Sequence, residues 1–378
     1  MSRGALWAGL TATGLAFALL WAPQPLLPML AAEFGVSTAQ ASLLISAVLL
    51  PLAVAPLVYG LILQRMPARP MLIAAIAVMA VTTLLLAFST EWWHLVTLRF
   101  AQGLAIPAVM TAVMTLLAGG AEPARRSRVL ALYIATTPVG GFAGRAFSGA
   151  VADYAGWREA FLALAVLMAA CAAVLALLRV SARVEFRRVR LRDLRGVLAD
   201  PLCRRVYGAS FLVFLVFSAY LNLLPFRLVD IGSGLSETGM GLMYTGYLIG
   251  AVVSFSAVAA AARLGGRRRA MALGFTVVAL SLAVSPLPSV PVLFIAVFIL
   301  CAGMFLVHAL APGIVNDRQE GVAGVANGVY IAAYYTGGVV GTSLPAVVYE
   351  AAGWNAVLGL LGVAAVAGAW LMVTAPGR

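Results

Sequence analysis

Three ionisable residues stand well inside apolar runs of this chain: Arg99, Arg145 and His308. In hydrocarbon such a side chain costs several kcal/mol unless it is paired or wet, so it marks a ligand site, a proton path or a buried hydrogen-bond centre. At about 1.5 Å per helical residue, Arg99 lies about 9 Å into its run, Arg145 about 12 Å inward of Asp153, and His308 about 26 Å into its own run. Either arginine can bind an anionic group, compete with a proton for a carboxylate, or bond backbone carbonyls and fix packing. Histidine titrates near neutral pH and serves as a proton carrier or as a bonded core residue. The acids Glu33, Asp153, Asp230 and Glu350 fall at run ends, within reach of interfacial water, and no Asp or Glu stands mid-run. If protons move, Glu33, Asp153 and His308 are the candidates.

The aromatic and amide residues fall on faces. Phe17, Trp21 and Gln24 share one side of the first run, and Tyr220, Asn222 and Arg227 project from the seventh. Tyr244 and Tyr247 belong to the eighth, and Asn327, Tyr330 and Tyr334 form a stripe on the eleventh. Rings with a few amides suit a moderately polar or flat organic molecule. Trp92, Trp93, Trp157 and Trp354 sit at run ends and read as an interfacial belt. No catalytic set emerges. There is no phosphate-binding P-loop and no Ser-His-Asp arrangement. Two histidines (His94, His308) and three scattered cysteines (Cys171, Cys203, Cys301) give neither a metal site nor a disulfide framework. An enzyme is not expected, and no cofactor beyond a proton gradient.

The elements that must position these residues follow from composition. The chain has 378 residues, 63% hydrophobic and 10% charged. Soluble domains are about 45–50% apolar and about 25% charged. A transmembrane β-barrel alternates apolar with polar and never becomes this apolar. The expectation is an all-α membrane protein with twelve transmembrane helices, near 5–32, 37–63, 70–89, 93–118, 128–152, 156–179, 203–230, 237–262, 269–286, 290–315, 321–348 and 353–374. The first run is too long for a signal peptide and reads as an uncleaved span. Prolines 51, 56, 107, 138, 225, 312 and 345 fall inside spans and predict kinks.

All 25 basic residues are arginine. With the N-terminus inside, 21 of them face the cytoplasm, leaving Arg99, Arg145, Arg158 and Arg227. That asymmetry predicts both termini in the cytoplasm and accounts for the net charge of +12 without any nucleic-acid partner. The halves also repeat. Pro25-Leu-Leu-Pro28 with Glu33 recurs as Asn222-Leu-Leu-Pro225 with Asp230. Gly140-Gly141-x-x-Gly144, Asp153 and Gly156-Trp157 recur as Gly337-Gly338-x-x-Gly341, Glu350 and Gly353-Trp354, at one offset of 197 residues. The division is an N-terminal six-helix bundle at 1–180, a cytoplasmic Arg-rich linker at 181–202 and a C-terminal six-helix bundle at 203–378. Two pseudo-symmetric bundles with a site between them can rock and expose that site alternately. The spaced small residues Gly140, Gly144, Ser148, Gly337 and Gly341 serve either as a sliding seam between bundles or as static packing.

Several motifs resemble the major facilitator superfamily over the whole length. Arg99-Phe-Ala-Gln102-Gly103 looks like its fourth-span signature. Pro138-Val-Gly140-Gly141 is similar to the glycine-proline motif associated with exporters, and Gly156-Trp157-Arg158 with Phe161 matches the loop into the sixth span. Gly60, Arg65 and Arg69 sit where the loop between spans two and three has its basic motif, with departures at Gln64, Pro67 and Ala68. Gln24-Pro25-Leu-Leu-Pro28, Glu33-Phe34-Gly35, Gly140-Gly141-x-x-Gly144-Arg145, His308 and Tyr334-Tyr335 resemble bacterial permeases of the drug:proton-antiporter and sugar-efflux type. Many such exporters carry a central carboxylate in the first span, where this chain has Gln24. The resemblance implies a monomeric inner-membrane secondary transporter in a lipid bilayer. Spans one, four, seven and ten would line its cavity, with two, five, eight and eleven at the bundle seam. Proton-coupled efflux of a drug-like compound, sugar or metabolite is the expected activity. Uptake of a small, possibly anionic, metabolite by symport or uniport is the alternative, and a ligand sensor on the same scaffold a third.

Overall fold

The computed structural model describes residues 3–62, 65–120, 123–177, 183–185 and 191–375. Gln64, Arg179, Arg187, Arg188, Arg190 and Arg378 fall outside them. Nine described helices are long and apolar enough to cross a membrane. One of these, Ala323–Val373, is two spans in one run, broken at Gly353 by a φ of 75° that favours glycine. Its counterpart Gly156 has a φ of 114° and separates Pro123–Ala155 from Trp157–Leu177. With Pro123–Ala155 and Arg267–Val284, twelve spans are complete.

Two spans are interrupted. The first runs Arg3–Trp21, a 3-10 turn Gln24–Leu26, then Leu27–Phe34. The break lies where Pro23 and Pro25 remove two backbone N–H groups. The eighth runs Glu237–Leu242, a 3-10 segment Met243–Leu248, then Ile249–Arg263. The others are Thr38–Ile62, Ala68–Ala87, Trp92–Gly120, Pro201–Asp230 and Val290–Arg318. Outside the spans, Arg65–Pro67 pairs antiparallel with Arg183–Glu185, joining the loop after span two to the linker. The linker also holds a short helix, Leu191–Ala199. The end of the molecule bearing this ribbon is called the basic end below.

Inside each half, a glycine stripe brings two spans together. A Cβ at Gly140 or Gly144 would strike the backbone of Gly14 or Ala18 on span one, and at Gly337 or Gly341 that of Phe211 or Leu215 on span seven. The Ser148 hydroxyl donates to the Ala22 carbonyl beside that stripe. These small residues are therefore packing within a bundle, and the sliding seam lies elsewhere. Of the four tryptophans expected at an interface, Trp93 is exposed, whereas Trp92, Trp157 and Trp354 are buried. The Trp157 indole donates to Glu33 and that of Trp354 to the Ser285 carbonyl, whereas the Trp92 indole N–H is buried without a partner.

Candidate functional site

A cavity of about 370 Å³ lies between the halves, in the part of the bundle toward the basic end. Its lining comes from spans one, two, four and five of the first half and seven, eight, ten and eleven of the second. One wall is a sheet of rings. Tyr334 stacks on Phe214 with centroids 3.9 Å apart, lies 4.6 Å from the His308 ring, and is followed by Tyr335 and Tyr330. Tyr247 and Phe305 meet edge to face at 5.5 Å deeper in. The facing wall is Phe17, Leu20, Trp21, Tyr133, Thr137 and Met110.

Prolines shape this wall through the carbonyls they leave without a helical donor. Pro312 frees the His308 carbonyl, which accepts from the Tyr330 hydroxyl at 3.4 Å while the same hydroxyl meets His308 Nδ1 at 2.8 Å. Pro138 frees that of Ile134, which takes the Thr137 hydroxyl at 2.9 Å. Pro225 frees that of Leu221, which takes the Tyr244 hydroxyl at 2.9 Å. In each case a hydroxyl satisfies a backbone group left without its helical donor.

Arg99 follows the same rule. Pro23 leaves the Leu19 carbonyl free, and Arg99 Nη1 donates to it at 3.0 Å. Nη2 donates to Leu20 at 2.6 Å, Nε to Leu44 at 3.0 Å, and Nη1 also to Gln102 Oε1 at 2.7 Å. The Gln102 amide goes on to Thr83 on span three. Arg99 thus ties spans one to four together, and it does not line the cavity.

Arg145 is equally buried but differently served. Its Nε donates to Gln24 Oε1 at 2.7 Å and Nη1 to the Gly141 carbonyl at 2.9 Å. The guanidinium carbon lies 4.6 Å from the Trp21 ring, 4.7 Å from Tyr244 and 4.5 Å from Tyr247. Arg145 Nη2 and Gln24 Nε2 are buried without a hydrogen-bond partner. Trp21 and Tyr247 also line the cavity, so the cation lies one ring below its floor.

Beyond Arg145 the molecule is sealed. Every hydrogen bond between the halves among the described residues lies at the end opposite the basic one. On one side Ser46 Oγ meets Thr342 Oγ1 at 2.7 Å and Ser343 Oγ at 2.9 Å, and Asn222 Nδ2 donates to Ser42 at 2.7 Å. On the other, a Cβ at Gly149 would strike the Glu237 carbonyl and one at Gly241 the Arg145 carbonyl. Gly149 and Gly241 are therefore the seam glycines. Two symmetry-related acids cap helix starts across the seam. Glu350 accepts from the Ala39 N–H at 2.6 Å, at the start of span two. Asp153 accepts from Thr238 and Ser236 at the start of span eight, and these hydrogen bonds hold its carboxyl below the ordinary range.

Of the residues singled out by sequence, Phe17, Trp21, His308, Tyr330 and Tyr334 line the cavity, and Gln24 and Arg145 lie beneath it. Asn222 belongs to the seal, and Asn327 bonds Asn316 at 2.7 Å rather than facing the cavity. Tyr220 bonds Ser285, and Arg227 reaches the Pro286 carbonyl at the sealed rim. Glu33 is held by Arg158 at 2.6 Å and by Trp157, stapling span one to span six. Phe214, Phe305, Tyr133 and Tyr335 line the cavity without having been singled out as lining residues. For Phe214 and Phe305 no local signal existed, since a phenylalanine in an apolar span reads as core.

The family model of the Major Facilitator Superfamily matches residues 9–232 and 206–378. The inner membrane transport protein YnfM of Escherichia coli is 28% identical over 92% of this chain and 85% of its own. An uncharacterized MFS-type transporter of Bacillus subtilis, YybF, is 26% identical over 94% and 89%. Among solved structures, a bacterial homologue of the human lysosomal transporter Spinster, in an inward-facing and unoccupied conformation, superposes with a TM-score of 0.75. It shares 14% identity, over 99% of this chain and 96% of that one. Duplicated bundles, a cavity between them and the family match lead to one conclusion: this multi-pass membrane protein belongs to the Major Facilitator Superfamily and is a transporter, not an enzyme.

Proposed function

We propose that the chain is a proton-coupled exporter of a small organic molecule working by alternating access, with its basic end in the cytoplasm of a bacterium. The observation that carries this reading is the cavity between the halves, with the described hydrogen bonds between the halves all lying beyond one end of it. In that orientation the sealed end faces outward, and the cavity is ready to load from inside. The aromatic wall suits a flat or partly aromatic substrate. The uneven distribution of arginines supports the orientation.

Coupling is assigned to the acids across the seam. Asp153 and Glu350 accept from helix starts of the opposite half, and an ionised carboxylate accepts more strongly than a protonated one. Protons arriving from outside would loosen both caps, and for exchange they must leave toward the cytoplasm before the caps re-form. His308 and Glu33 are the secondary candidates. The cavity is lined by residues of one chain, which supports a monomer as the working unit.

The test is transport by purified protein in proteoliposomes with an acidic interior and a pH-sensitive dye inside. Export predicts that a substrate added outside accumulates within while protons leave, and that Asp153→Asn with Glu350→Gln abolishes the proton movement. Accumulation without proton exit overturns the coupling. Thiol labelling of Arg195→Cys from outside intact cells overturns the orientation.

A further inference from the structure

We infer that the substrate carries a carboxylate, taken by Arg145 and Gln24 beneath the cavity floor. This rests on the reading of the cavity as the transport site.

The argument starts from donors without acceptors. Arg145 Nη2 and Gln24 Nε2 are both unpartnered, and both residues are fully buried. Gln24 has no freedom to turn round, because its Oε1 already accepts from Arg145 Nε at 2.7 Å and a flipped amide would set N–H against N–H. Two buried nitrogen donors, on two side chains already bonded to each other, therefore await an acceptor. The charge count agrees. The polar neighbours of the guanidinium are Gln24, the Gly141 carbonyl, the Tyr244 and Tyr247 hydroxyls and the Cys301 thiol, all uncharged groups. Among the described residues no Asp or Glu pairs with it. Three ring faces soften the burial of a cation, but they supply no counter-charge. A buried charge is ordinarily balanced by its partner. Here the balance is one negative charge short, and a monoanion restores neutrality.

Access and shape follow. Trp21 and Tyr247 are at once the cavity floor and two of the three rings on Arg145. A side-chain rotation of either uncovers the guanidinium to whatever the cavity holds. A planar carboxylate matches two N–H groups side by side. The ring wall of Phe214, Tyr334 and Phe305 then takes an aromatic or flat body on the same molecule.

The experiment measures binding of 2-naphthoate and of its neutral analogue 2-naphthamide to the purified full-length protein by titration calorimetry. Wild type is expected to bind the carboxylate at least about tenfold tighter than the amide, the order of one charge-assisted contact. Arg145→Met should abolish that preference, and Arg145→Lys should keep part of it. Gln24→Glu is the deciding variant. It places a carboxylate of the protein against Arg145, so it should raise thermal stability and abolish preference for the acid. A merely structural arginine would give no preference to lose. Equal binding of acid and amide, preference unchanged in Arg145→Met and Gln24→Glu, or no binding of either compound overturns the inference. Transport is read separately in proteoliposomes. Selective binding without accumulation leaves the site standing and removes the transport reading. Accumulation of naphthamide indifferent to Arg145→Met does the opposite.

Discussion

Arg99 and Arg145 are the same residue type, both fully buried, both on spans of the first half and both hydrogen-bonded to a glutamine. One is consumed by its surroundings. Arg99 makes four hydrogen bonds, three of them to carbonyls of spans one and two, and leaves none of its three nitrogens without a partner. Arg145 donates to Gln24 and to the Gly141 carbonyl, lies against three rings with the Tyr247 hydroxyl beside it, and keeps Nη2 unpartnered. The difference comes from the backbone around them. Where a proline breaks a span, a carbonyl is left over and an arginine closes the gap. Around Arg145 the Gln24 amide and the Gly141 carbonyl take two nitrogens, rings cover the rest, and the guanidinium retains a spare nitrogen. A buried charge that is fully bonded belongs to the fold, and one that is not is available to a ligand.

The largest expected effect breaks or keeps this contrast outright. Arg99→Met strands the Leu19 carbonyl and Gln102 and removes the bonds to the Leu20 and Leu44 carbonyls, at about 3 kcal/mol or more. It should lower Tm and yield severely, and Arg99→Lys, with fewer donors in another geometry, should rescue only part. Arg145→Met should cost about 1 kcal/mol or less, because lost cation–π contact is offset by removal of a buried charge. If thermal melts give the two variants equal losses, the contrast fails. Next comes motion. A disulfide between Ser46→Cys and Ser343→Cys, in a background without the native cysteines, should hold the seal shut and stop transport until reductant is added. Transport that continues would mean the seal never opens there. The smallest effect is pH. The Asp153 carboxyl is held below its ordinary value by Thr238 and Ser236, so its charged form favours the closed end. That contribution is present above the ordinary carboxylate range and is lost as pH falls through the lowered value. Thiol labelling of Ser46→Cys should therefore quicken on acidification, and Asp153→Asn should flatten that dependence.

Much of the fold was legible because membrane spans announce themselves by length and composition, and because the repeat set both halves in register. Gly353, predicted by the repeat to separate spans as Gly156 does, is where the 51-residue run breaks. The interruption at Met243–Leu248 was not legible, since no proline or glycine pair marks it beyond Gly246. The site was half legible. Polarity inside an apolar run picked out Arg145, Gln24 and His308, but the same signal picked out Arg99 and Asn222. Separating them needs to know which carbonyls are vacant, and that depends on neighbouring helices. Gly140 and Gly149 look alike in sequence, yet one faces span one and the other faces span eight. Nine residues of helix turn the second away from the first by about a half turn.

The 3-10 segment in span eight carries a mechanical consequence. Met243–Leu248 holds Tyr244 and Tyr247, two of the rings over Arg145. A 3-10 helix advances about 2.0 Å and 120° per residue, an α-helix about 1.5 Å and 100°. Rewinding these six residues into α-helix would shorten the span by about 3 Å and turn one end against the other by about 120°. That single screw motion would lift both tyrosines from the cation while drawing Glu237 and Gly241 off span five. Span eight is wound like a spring with its catch built in, and the catch is the pair of rings that hide the charge.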